Sequence, residues 1–249
     1  MKVLLNVLYN HESEECKLDL YFPDEGFNET IIHFHGGGLS SGAKDDYAHK
    51  EIAKAIVQAG ISFISVNYRM YPNAKTPDFF VDAAKSIKYV FNFFEENKIN
   101  SKIYVSGQSA GAYIAMMLCF NETYLKNVGL EIANINGWII ESGQPTTHFN
   151  VLKEMGFDAK LQRIDEYAPL YYVNNKTTFE RMLLISYTED IPLRLEQNEY
   201  LYKTILHYNP DANIIFKVYN GVHCLNSIKA VDGEFKHASI MIDFINNKL

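Results

Sequence analysis

Hydrophobic and polar positions alternate between two periods along this chain. Leu18-Asp19-Leu20-Tyr21-Phe22-Pro23 switches every residue and stops at proline, which predicts a strand ended by a turn. Thr30-Ile31-Ile32-His33-Phe34-His35 is β-branched and aromatic and breaks at three glycines, the pattern of a buried strand entering a loop. From Asp46 to Ala59 the apolar residues fall at helical spacing (Ile52, Ala55, Ile56, Ala59), with Asp45 or Asp46 able to cap and Gly60 just beyond. Further strands are predicted over Ile61–Tyr68, Lys102–Ser106, Gly137–Ser142, Arg181–Tyr187 and Asn213–Tyr219. Helices are predicted over Asp78–Asn97, Ala110–Phe120, Leu193–Leu206 and Phe235–Asn247.

Strand and helix alternate through the second half, so the pattern predicts an α/β fold. Its sheet is mainly parallel and twisted, with right-handed crossovers and helices on both faces. Neither a repeat nor a linker interrupts residues 1–249, and one domain is the simplest account. Residues 143–176 break the alternation. They are too long for a simple crossover and too short for a large lid. They read as a small helical insertion over one edge of a cleft, with ordinary surface helices as the alternative.

The formal charge of −7, with no Lys/Arg cluster, excludes a phosphate-tracking surface and so a nucleic-acid partner. No apolar stretch approaches the ~20 residues of a membrane span, and the first nine residues lack the features of a leader peptide. Three cysteines, Cys16, Cys119 and Cys224, form no Cys-x-x-Cys pair, which speaks against a disulfide framework or a zinc site. Cytoplasmic location is the expectation. Oligomeric state is not legible.

Chemistry enters with Gly107-Gln108-Ser109-Ala110-Gly111, a G-x-S-x-G sequence between a predicted strand and a predicted helix. Such a turn needs small neighbours, lifts the serine hydroxyl above the sheet and sets it at a helix N-terminus. His35-Gly36-Gly37-Gly38 also follows a strand, and its glycines let backbone N–H groups face a developing oxyanion. Gly37 and Gly38 (or Gly36) with the amide of Ala110 are the expected donors, and His35 is expected to hold the loop. A serine needs a base and an orienting acid. His223 lies just past the last strand and is the expected base; His148, His207 and His237 are the other downstream histidines. Asp190, after the strand ending at Tyr187, is the expected acid, with Glu189 and Glu141 as rivals.

With these residues in place the chain resembles the hormone-sensitive-lipase-like branch of α/β-hydrolases. It is most similar there to small esterases grouped with acetyl esterases and kynurenine formamidases. The resemblance rests on residues 18–23, His35–Gly38, Asn67-Tyr68-Arg69, Gly107–Gly111, Asp190 and His223. Asp82 also matches a recurring position, where its role is structural. Two departures stand out: Leu39 replaces a tryptophan common after the oxyanion glycines, and the helical cap is reduced to 143–176. The resemblance implies a Ser109–Asp190–His223 serine esterase for small-molecule, short-acyl esters, with neither metal nor cofactor. An amidase, formamidase or peptidase with the same triad, or a binding protein on this scaffold, are the other readings.

Overall fold

The computed structural model describes residues 1–231 and 234–249. Eight strands form one sheet: β1 (Lys2–Leu8), β2 (Lys17–Phe22), β3 (Glu29–Phe34), β4 (Ser62–Val66), β5 (Lys102–Gln108), β6 (Gly137–Glu141), β7 (Met182–Glu189) and β8 (Ile214–Val222). Their order is β1-β2-β4-β3-β5-β6-β7-β8. The pairs β1–β2 and β2–β4 are antiparallel, and all pairs from β4–β3 to β7–β8 are parallel.

Strict alternation along the central strands builds a core on each face. Ile32, Phe34, Ile64, Val105, Trp138 and Leu184 turn to one core, which α2 (Asp78–Glu96) and α3 (Ala110–Phe120) cover. Ile31, Phe63, Tyr104, Ile139 and Leu183 turn to the other, beneath α1 (Tyr47–Gln58). All eleven residues of α3 are buried, as an Ala- and Met-rich helix without a polar face requires. The remaining α-helices are α4 (Thr123–Lys126), α5 (Phe149–Glu154), α6 (Arg194–Tyr208), α7 (Leu225–Ile228) and closing helix α8 (Lys236–Ile245), and Ala230–Val231 pairs with Glu234–Phe235 as a separate two-stranded sheet. No helix among the described residues is long and apolar enough to cross a membrane.

Three features differ from the sequence expectation. The first strand, β1, is an edge strand with mixed exposure, so neither strict alternation nor a buried run marks it. β8 continues three residues past Tyr219 and ends directly before His223. In the 143–176 segment the helical pieces are α5 and a 3₁₀ turn at Pro169–Tyr172, while 158–167 is turn and irregular backbone. That segment is fastened to the body: Tyr113 Oη donates to the Tyr167 carbonyl, and Thr147 Oγ1 donates to buried Asp165 at 2.6 Å.

Two charged pairs lock the loops that leave β3 and β4. Lys44 Nζ meets Asp19 at 2.8 Å with both side chains buried, and also donates to Asn6 Oδ1 at 2.9 Å. Arg69 grips fully buried Asp82 with both Nε and Nη2 at 2.8 Å, while its own N–H donates to the same carboxylate at 3.1 Å. A buried carboxylate with three such donors is satisfied; without the guanidinium it is an uncompensated charge. Arg69→Met is therefore expected to cost about 3–5 kcal/mol of stability in urea denaturation, more than an exposed ion pair would. A loss under 1 kcal/mol would show that the pair is dispensable.

Candidate active site

The turn from β5 to α3 is the most crowded part of the sheet edge. A Cβ on Gly107 would sit 2.2 Å from the Gly111 carbonyl oxygen, and one on Gly111 would sit 2.0 Å from the Phe34 carbonyl oxygen. Only glycine fits at either place. Between them Ser109 adopts φ 52° and ψ −110°, outside the regions that L-residues favour. Backbone bonds hold it there: Ser109 N–H donates to the Glu141 carbonyl at 2.8 Å, and Tyr113 N–H to the Ser109 carbonyl at 3.0 Å. Such strain, about 1–3 kcal/mol, persists only where the surroundings over-determine it, and it clusters at functional sites.

Ser109 Oγ lies 2.8 Å from His223 Nε2. His223 Nδ1 is hydrogen-bonded to Asp190 Oδ1. The other carboxylate oxygen accepts from Ser142 Oγ at 2.7 Å, and Oδ1 accepts from the Ile191 N–H at 2.7 Å. A carboxylate only accepts, so Nδ1 carries the proton of a neutral His223 and the Nε2 lone pair faces the serine hydroxyl. Burial alone would raise the Asp190 carboxyl. The hydrogen bonds from His223, Ser142 and Ile191 outweigh it and hold the group below the ordinary carboxylate range. His223 is delivered by a register irregularity in the β7–β8 ladder at Gly221, whose φ of 132° suits glycine.

The glycine loop lies beside the serine. Gly37 (φ 108°) and Gly38 (φ 64°) adopt conformations glycine tolerates, and the Gly37 carbonyl accepts the N–H groups of Ser40 and Ser41. Among the described residues no backbone or side-chain acceptor takes the Gly37 or Gly38 N–H, and Ala110, first in α3, has no intrahelical acceptor. His35 stacks on Tyr68 at 4.5 Å and bonds the Gly36 carbonyl through Nδ1 at 2.7 Å, while Tyr68 Oη donates to the His35 carbonyl. Burial pushes the His35 imidazole down to about 4, so it is a neutral brace.

The other candidates stand apart. Glu141 is buried, accepts Tyr187 Oη and lies 3.6 Å from His237 Nδ1. Glu189 and His207 are exposed. His148 is buried and caps α5 by accepting the Asn150 N–H. Sequence reasoning missed Ser142 and the Ile191 amide. The one available signal was Ser142's position at the carboxyl edge of β6.

The eight-stranded order, its antiparallel edge and the serine turn define an α/β-hydrolase-fold protein. Solved structures agree over the whole chain. A truncated carbohydrate esterase from gut microbiota superposes with TM-score 0.78 at 18% identity, covering 100% of this chain and 96% of that one. A thermophilic esterase from Thermogutta terrifontis with propionate bound gives 0.75 at 16% identity, covering 99% and 93%. In sequence, the BD-FAE family matches residues 18–137, which include the glycine loop and the serine turn but neither Asp190 nor His223. Kynurenine formamidase of Danio rerio is 30% identical over 119 residues, 47% of this chain and 39% of that protein. Acetyl esterase of Salmonella agona is 29% identical over 99 residues, 39% of this chain and 30% of that protein. The chain thus spans less than half the length of the curated relatives it matches.

The Ser142 contact generates a pH-dependent expectation. A depressed carboxyl contributes stability that is present above the ordinary carboxylate pKa and lost as pH falls through the depressed one. Ser142→Ala removes one bond to the charged form, so it should cost about 1.5–3 kcal/mol at pH 7. The gap from wild type should close as Asp190 protonates. Urea melts of both proteins from pH 7 downward check this; a gap that stays constant would mean the hydroxyl does not act on the Asp190 charge.

Proposed function

We infer that this chain is a serine hydrolase that cleaves carboxylic esters through an acyl-enzyme on Ser109. The observation that carries the reading is the hydrogen-bonded run Ser109 Oγ–His223–Asp190 at the mouth of a strained strand–helix turn. Ser109 Oγ attacks the ester carbonyl carbon while its proton passes to His223 Nε2. The carbonyl π electrons move onto oxygen, where the N–H groups of Gly37, Gly38 and Ala110 stabilise the charge; one such donor is worth about 3–4 kcal/mol. Collapse expels the alkoxide, which takes the Nε2 proton and leaves as the alcohol. Water then gives a proton to His223 Nε2 and attacks the acyl carbon; the second adduct collapses, the carboxylic acid leaves, and Ser109 Oγ takes the proton back from His223. Asp190 fixes the His223 tautomer and stabilises the imidazolium through both steps.

Short acyl chains are favoured. The depression over Ser109 is small, about 340 Å³, and is walled by Gly36, Gly37, His49, Gln108 and Cys224. The names of the relatives point the same way: one is an acetyl esterase, and a structural neighbour holds propionate. The likeness to kynurenine formamidase favours a second reading, cleavage of a formamide by the same residues, with His223 protonating a leaving amine.

Hydrolysis of 4-nitrophenyl esters from acetate to palmitate tests the assignment. The expected rate peaks at acetate to butyrate and falls about 10⁴–10⁶-fold in Ser109→Ala. Ester turnover that survives Ser109→Ala would overturn the nucleophile. Fluorophosphonate labelling of Ser109 with no ester turnover would select the formamide reading.

A further inference from the structure

A second cleft, about 530 Å³, is lined by residues of the 143–176 insertion and by the segment from Ile191 to Gln197 that follows β7. Two of its walls are already attached to the site. Phe149 packs against Gly38, where an added Cβ would be 3.2 Å from its ring, and Ile191 is the residue whose amide holds Asp190. The cleft floor is unusual for a chain of net charge −7. Arg194 and Lys160 line it with the amides of Gln144, Gln162 and Gln197, and among the described residues no Asp or Glu does.

Arg194 is the informative residue. It is 3% exposed, yet no carboxylate lies within ion-pair distance among the described residues. Its Nη1 donates to the Ser142 carbonyl at 2.7 Å and its Nη2 to Gln144 Oε1 at 3.0 Å, both neutral acceptors, while Nε, itself shielded from solvent, has no partner among the described residues. Asp190 acts on it only at longer range, because its oxygens are taken by His223, Ser142 and Ile191. Asp158, adjacent in sequence to the cleft wall, accepts the Lys160 N–H and does not line the cleft. Burying a guanidinium without a counter-charge is costly, and such cations are normally paired. Around it the cleft is apolar, with Phe149 inside and Ile191 and Leu193 exposed at its rim.

We propose that this cleft binds a carboxylate attached to an apolar body, with Arg194 and Lys160 supplying the missing counter-charges, so that the preferred ester carries a negative charge remote from the scissile bond. The substrate class rests on the esterase reading; the anion site itself does not. Arg194 has a second task, since it holds the Ser142 carbonyl beside the Asp190 loop. Lys160 is exposed and makes no side-chain bond among the described residues, so it provides the variant that leaves the fold intact.

The test is calorimetric binding of 4-propylbenzoate and its neutral isostere 4-propylbenzamide to the whole chain, paired with inhibition of 4-nitrophenyl acetate hydrolysis. The benzoate should bind at least tenfold more tightly than the amide. Its advantage should shrink at least threefold in Lys160→Met, further in Arg194→Gln, and also in 0.5 M salt. Inhibition by the benzoate should be competitive. Equal affinity for the two compounds, or an advantage untouched by Lys160→Met, would overturn the anion site even if ester turnover is normal. Selective benzoate binding without any ester turnover would leave the anion site standing and defeat the esterase reading instead. Should Arg194→Gln fail to fold, Lys160→Met decides.

Discussion

The constraint on which the structure depends is the lack of room at the β5–α3 turn. Strand β5 runs between β3 and β6, and α3 packs directly across its end, so Gly107, Gly111 and the Phe34 carbonyl meet with no space for a side chain. A polypeptide turns this sharply only if one residue accepts a positive φ, and here that residue is Ser109. The strain is sustained by burial of every residue of α3, which makes the helix immovable relative to the sheet. In the proposed reaction a hydroxyl fixed this way need not be ordered again when substrate binds, which is the advantage of pre-organisation.

Everything else at the sheet edge is fitted around that fixed point. The glycine loop is braced by the stacked His35–Tyr68 pair, and the loop after it is tied through Lys44 to Asp19 and Asn6. Asn6 sits at a bulge in β1 with φ 56°, and its own N–H donates to Asp19 at 2.7 Å. The antiparallel edge, far from the serine in the sheet, therefore stabilises the loop that flanks it. On the other side, Arg194 holds Ser142, Ser142 holds Asp190, and Asp190 orients His223. One polar chain thus reaches the Ser109 hydroxyl through His223, while the other fixes the loop beside it.

Much of this was legible in the sequence because local rules and the global fold agree. Buried parallel strands read as β-branched runs, and the glycines mark the two places where backbone must approach backbone. The order of Ser109, Asp190 and His223 along the chain follows from one loop per strand end. What was not legible lacked a local signature. β1 is half exposed, so neither period 2 nor a hydrophobic run announces it, and its value lies in Asn6 meeting Lys44, 38 residues away. The insertion's short helices carry too few turns for a 3.6-residue period to emerge. Ser142 and Arg194 look like any serine after a strand and any arginine at a helix start; only the tertiary placement of Asp190 gives them a role.

The two carboxylates at the sheet edge illustrate why spacing alone leaves rivals open. Glu141 ends β6 and Asp190 follows β7, and either satisfies the order along the chain. Glu141 is withdrawn by its neighbours: Tyr187 donates to one oxygen, and His237, fully buried on α8, faces the other. Its backbone carbonyl, by contrast, takes the Ser109 N–H and so helps hold the strained turn. Asp190 lies one residue beyond the strand, where the loop can turn its carboxylate toward His223 while the Ile191 amide and Ser142 hydroxyl satisfy what remains. A group that orients an imidazole must keep its charge with its side chain buried, and Asp190 does so because all three donors meet its charged form. The difference between the rivals is thus one of partners supplied by the fold, not of residue type or position in the chain.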